Sequence, residues 1–168
     1  ANRVFFVGYG VTVEITGLTV TGGRASDVSG AGIYSDGGSL TLRDAVVRDN
    51  TLLLSDTNYD GGGGVAVSGG VLTLDNVMVF GNTVQAGGRG LGGGVYGDGA
   101  NLQISGSRIY SNTISGSSEN LGGGIYARIS TLNLQHSAVY SNTILSASGG
   151  GGGVYAFNYP NRPVRIEA

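Results

Sequence analysis

Apolar side chains along this chain come in short runs, and the runs return. Leu40-Thr41-Leu42, Leu72-Thr73-Leu74, Leu102-Gln103-Ile104 and Leu132-Asn133-Leu134 each alternate apolar with polar. That period of two places one set of side chains on one face of a β-strand. Ahead of each pair stands an Ile or Val that follows a glycine cluster: Ile33, Val65, Val95, Ile125 and, in a fifth copy, Val154. Behind each stands a Val or Ile three residues before an Asn-Thr pair, as in Val47 before Asn50, Val79 before Asn82, Ile109 before Asn112 and Val139 before Asn142. Each copy therefore predicts three short strands. No window of eleven or more residues carries helical spacing, and each glycine would weaken a helix by up to about 1 kcal/mol relative to Ala.

The copies lie close to thirty residues apart: IYSNTI at 109–114 returns as VYSNTI at 139–144, and LGGGVY at 91–96 as LGGGIY at 121–126. Val13, Ile15 and Val20 fit the same frame near the start, and Val164 and Ile166 near the end, after an insertion. A fixed period of this size signals a solenoid. Three strands and three turns per repeat describe an all-β parallel β-helix in which each strand pairs with its equivalent one coil on. Repeats starting near 4, 30, 62, 92, 122 and 151 make five to six coils across residues 1–168. At about 4.8 Å per coil the rod is about 25 Å long. The chain reads as one domain, a segment of a longer solenoid.

Stacking explains why the residues recur. Inward positions touch their own equivalents above and below, so β-branched and Leu side chains are kept in columns. Asn50, Asn82, Asn112 and Asn142 fall at one turn, where amides can bond along the stack and left-handed backbone angles are tolerated. The glycine triplets suit a corner with positive φ or close approach between coils. Charges agree with this register: Asp98 lies thirty residues before Arg128, and Arg43 thirty-two before Asp75. Each exposed pair contributes only a few tenths of a kcal/mol, but like charges there would oppose the stack.

Composition narrows the classes. The chain has 34 glycines, no cysteine, one histidine and a net charge of −2, with every basic residue an arginine. That balance offers nothing to a nucleic acid, and there is no thiol or disulfide chemistry. No apolar run approaches the roughly twenty residues of a membrane helix, so no membrane insertion is expected of this segment. Residues 1–10 lack the order of a secretion signal, and any targeting signal is expected outside the segment.

GGGIY at 122–126, LTL at 40–42 and 72–74, and the aromatic-x-Asn triplets FGN at 80–82 and YSN at 110–112 and 140–142 resemble the repeats of polymorphic outer membrane proteins. They are equally similar to the β-helix repeats of large bacterial surface and secreted proteins in the pectate-lyase-like superfamily. The resemblance covers about residues 4–156 and implies a right-handed helix, an extracellular or cell-surface location, and an adhesive or scaffolding role with a glycan or a host or cell-surface protein as partner. It also admits the lyases and hydrolases of the same fold, so the reading divides between a non-catalytic module and a fragment of a polysaccharide-degrading enzyme.

Chemistry-bearing residues are few. An enzyme would need acids converging on one face. Asp44 shares its column with Asn76, Gly106 and His136, and Asp75 lies diagonally from it beside Arg43; Asp44, Asp75 and His136 are the catalytic candidates. Asp56, Asn58 and Asp60 followed by Gly61 reproduce the first half of an EF-hand calcium loop, but Val67 stands where the closing Glu belongs. This loop is also the longest before a glycine triplet, ten residues against eight in the next two copies. Calcium is the one cofactor the sequence suggests. Two aromatic rows are expected to point outward for ligand contact or cross-strand stacking: Phe80, Tyr110 and Tyr140, and Tyr96, Tyr126 and Tyr155. The outward column Thr41, Thr73, Gln103, Asn133 loses its threonines after two coils, too short for an ice-binding array. Uncapped strand edges at both ends favour self-association.

Overall fold

A computed structural model describes residues 2–55, 60–157 and 163–167. All regular structure among them is β-strand. The strands sort into two six-stranded sheets, two five-stranded sheets and one two-stranded ribbon, and every pairing is parallel between neighbouring coils. The chain is a parallel β-solenoid.

One coil shows the plan. Ile33–Asp36 belongs to the first sheet, Ser39–Arg43 to the second and Val46–Arg48 to the third. These are the three strands per coil that the apolar pattern marks. A fourth short strand, Thr51–Leu54, follows the Asn and forms the fourth sheet. Its apolar residues vary between coils, Ala25, Leu52, Val84 and Ile114 in one column, which is why it does not stand out as a repeat. Register is as the sequence sets it: Leu40, Leu72, Leu102 and Leu132 are successive partners, as are Leu42, Leu74, Ile104 and Leu134. The outlying copies keep it too, with Val13 opposite Leu40 and Ile166 opposite Leu134.

Inward columns of the first three sheets fill one continuous core from Val7 to Leu134. A smaller cluster of Ala25, Ala31, Leu52, Leu54, Val84 and Ile114 lines the fourth sheet. Positive φ at Gly62, Gly92, Gly122 and Gly151 opens each coil. The next glycine serves a different need: a Cβ on Gly63 would stand 2.5 Å from the carbonyl oxygen of Gly93. No side chain fits between those backbones.

The Asn column is the most regular polar feature. Asn50 donates from both its backbone N–H and its Nδ2 to Oδ1 of Asn82, at 3.1 and 2.9 Å. Asn82 does the same to Asn112, and Asn112 to Asn142. Each Nδ2 also reaches an inward-column carbonyl of the preceding coil: Val20, Val47, Val79 or Ile109. Asn50, Asn82 and Asn112 have no exposed surface. The left-handed residue at this corner is the one before the Asn, namely Asp49, Gly81, Ser111 or Ser141, so the amide rather than any backbone tolerance selects Asn here.

Asn112→Ala removes the acceptor of two buried donors on Asn82 as well as its own donors. Unmade buried hydrogen bonds cost about 1–3 kcal/mol each, so a loss of about 3 kcal/mol is expected in urea unfolding, against under about 0.5 kcal/mol for the surface change Gln85→Ala.

Candidate ligand-binding cleft

In the first sheet the second and fourth strand residues lie outside the main core. The second position runs Tyr34, Ala66, Tyr96, Tyr126, Tyr155, and the fourth runs Asp36, Ser68, Asp98, Arg128, Phe157. Tyr96 and Tyr126 are buried, at 2% and 3% exposure. This corrects the expectation of an exposed row at Tyr96 and Tyr126, while Tyr155 is half-buried. The segment leading into each glycine triplet folds over the rings, and Leu91 and Leu121 pack with Ala66, Tyr96 and Tyr126 in a third apolar cluster, with Tyr34 and Tyr155 at its margins. Stacked rings 5.6 and 5.7 Å apart, within 7° of parallel, run through it from Tyr96 to Tyr155.

One coil lacks both bulky parts of this layer. Gly61 stands in the column of Leu91 and Leu121, and Ala66 in the column of the tyrosines. Beside that thinning lies a cleft of about 560 Å³ whose walls include Tyr34 and Tyr96. Arg3, Asp27, Ser29, Asp60, Ser68, Asp98 and Arg128 supply its polar lining.

Its groups are held by neighbours. Arg128 grips Asp98 with Nε at 3.0 Å and Nη2 at 2.5 Å. The Arg3 guanidinium lies 4.9 Å from the Tyr34 ring centre and donates from Nη2 to the Ser29 carbonyl at 3.1 Å. The Ser29 hydroxyl donates to Asp60 Oδ1 at 2.6 Å. Asp27 accepts from both N–H and Oγ of Ser55, each at 2.7 Å. The backbone bond, then the hydroxyl bond, holds its carboxyl below the usual range. Burial first, then the Asp98 carboxylate, pushes the Tyr96 phenol well above its ordinary value. The cleft thus presents fixed charges of both signs and hydroxyls, with two tyrosines in its walls.

The other sequence candidates lie apart from it. Asp44 sits at a left-handed turn and accepts from Asn76 Nδ2 at 2.6 Å. Asp75 is taken by Arg43 at 2.5 Å, with Ser105 at 3.3 Å. His136 shares the turn column, also left-handed, beyond Gly106. Neighbours in their own columns occupy Asp44 and Asp75. Asp56 and Asn58 lie outside the described residues, and Asp60 bonds Ser29. Among the described residues no three or more His, Asp or Glu side chains gather to hold a metal ion.

The row Phe80, Tyr110, Tyr140 is stacked at 4.9 and 5.0 Å, within 11° of parallel. Its facing ring surfaces are spent on each other, and only the outer faces of the two end rings, Phe80 and Tyr140, are without a stacked partner in the row. Of the cleft residues, Asp98 and Arg128 are legible as a pair from their spacing. Arg3, Asp27 and Ser29 are not, because the first coil departs from the repeat; the usable signal was Ala66 interrupting the tyrosine column that begins at Tyr34.

Compared with protein-family models, curated proteins and solved structures, the chain matches none.

Tyrosines kept neutral by burial bear on alkaline stability. With the folded pKa raised, their contribution is complete below about pH 10, where unfolded tyrosine begins to ionise, and is lost as pH climbs toward the folded value. Stability should fall between about pH 10 and 12. The double change Tyr96→Phe and Tyr126→Phe should flatten that fall in urea melts across the range; an unchanged slope would show that other groups cause it.

Proposed function

We propose that this chain is a non-catalytic β-solenoid module that binds saccharide, carried on a secreted or surface-exposed bacterial protein of the polymorphic outer membrane protein or pectate-lyase-like kind. One observation carries the reading: the cleft beside Ala66, where carboxylates, two guanidiniums, hydroxyls and tyrosine rings line about 560 Å³. Alternating donors and acceptors held by neighbours suit a ligand dense in hydroxyls, and little ordering is needed on binding. Asp44 and Asp75 are each engaged by neighbours in their own columns rather than converging on one site, which favours binding over turnover. Apolar inward positions open at the last coil, with Val164 at 40% and Ile166 at 70% exposure, and the first coil shows Phe6 at 58%. These surfaces support a second role in end-to-end stacking with further coils or copies.

A glycan-array screen beside lyase and hydrolase assays, each with calcium and with chelator, tests the reading. Saccharide binding without turnover is expected, and Ser68→Trp, which fills the cleft from a partly exposed strand position, should abolish it without lowering the melting temperature. Turnover would replace the reading with the enzyme alternative. Binding untouched by Ser68→Trp would move the site elsewhere, and loss on chelation would bring Asp60 and its loop into it.

A further inference from the structure

The fourth sheet carries a groove that crosses coils instead of following one strand. Its outward column runs Ser26, Leu53, Gln85, Ser115, each the register partner of the next. A hollow of about 550 Å³ draws on all four of them and on Asp27, Ser55 and Gly87, which follow the column in their coils. Four successive coils contribute, so the groove extends along the solenoid axis over three coil steps, about 14 Å. The position after the column shrinks from Leu54 to Ala86 to Gly116. At the turn a Cβ on Gly87 would stand 2.4 Å from the Ser55 carbonyl oxygen, so that stretch carries no side chain.

The strands beneath are paired on both sides, from Thr51–Leu54 to Thr113–Gly116. Strand addition is therefore closed to a ligand here, and side chains must hold it. Gln85 is exposed and Ser115 partly so, offering donors and acceptors, and Leu53 adds apolar surface. Asp27 is the one charged residue among the described residues of the lining. It also lines the cleft, so the two hollows adjoin at its carboxylate. Both bonds from Ser55 fall on Asp27 Oδ1, and the side chain is exposed, which leaves Oδ2 to accept from a ligand. A polyanionic chain would be repelled at that point; a neutral one, dense in hydroxyls, would be met by acceptors and donors along its length.

We propose that groove and cleft form one extended site for an unbranched, neutral saccharide chain laid along the solenoid axis, with a hydroxyl donating to Asp27 where the two meet. This rests on the cleft binding saccharide, and adds that the ligand is a chain longer than the cleft alone holds.

Isothermal titration of the full chain with cellobiose and with cellohexaose tests it. Cellohexaose should bind about tenfold more tightly, through the one or two further hydrogen bonds that the groove supplies. Gln85→Leu combined with Ser115→Leu should bring cellohexaose down to the cellobiose level. Leu already occupies this column at Leu53 and Leu145, so the melting temperature should hold. Asp27→Asn, which keeps a residue tolerant of the left-handed backbone at this position, should weaken both saccharides. Equal affinity for the two saccharides would overturn the extended site while leaving the cleft as a saccharide site. Undiminished cellohexaose binding in the double variant, or in Asp27→Asn, would also overturn it. Silence with both saccharides would overturn it as well, and the reading of the cleft would fall with it only if the glycan array is silent too.

Discussion

Everything in this molecule rests on a backbone that hydrogen-bonds to itself one coil away. Parallel pairing holds successive coils about 4.8 Å apart, too close for a side chain to choose its neighbour. Each residue meets its own equivalent, so a position works only if its side chain packs against a copy of itself. Val, Ile and Leu do this inside. Asn does it at the buried corner because one amide supplies an acceptor to the coil before it, a donor to the coil after it and a second donor to a nearby carbonyl. Aspartate could accept in that position but not donate, and would bring like charges together along the stack. Stability on this plan is held by repeated nearest-neighbour contacts rather than by one closed core.

The same constraint decides where function can reside. A column that repeats faithfully yields a smooth ridge, and ridges satisfy themselves: the faces of Phe80, Tyr110 and Tyr140 lie against one another and present edges outward. Relief appears where a column is broken. Gly61 and Ala66 remove a leucine and a tyrosine from one coil, and the cleft lies alongside.

This division also accounts for what could be read from the chain alone. Strand identity, register, the inward columns and the Asn ladder were legible because each is stated four or five times, and the pairs Asp98 with Arg128 and Arg43 with Asp75 were legible from spacing. The fourth strand was harder to see, since Ala25, Leu52, Val84 and Ile114 share burial but not size. The outward position of Tyr96 and Tyr126 followed from alternation, yet their burial did not. It depends on Leu91 and Leu121, which arrive from the loop side, where no period of two applies. The cleft draws Arg3, Asp27 and Ser29 from the least repetitive coil, and their convergence comes from the path of that coil rather than from any local motif.

A repeat unit under uniform packing selection has little freedom inside, so chemistry is left to positions that the stack does not use. Those are outward strand residues and the loops ahead of the glycine triplets, and loops there vary in length while the triplets do not. The coil that thins its outer layer at Gly61 and Ala66 is also the one entered by the longest of these loops, ten residues against eight in the next two. Lengthening a surface loop by two residues adds little closure entropy, and removing two bulky groups from the outer layer leaves the main core columns intact at Val65 and Val67. A binding surface can therefore form on one coil without disturbing the register of the others. For the same reason each coil can vary its own exterior independently, provided that its interior keeps the pattern.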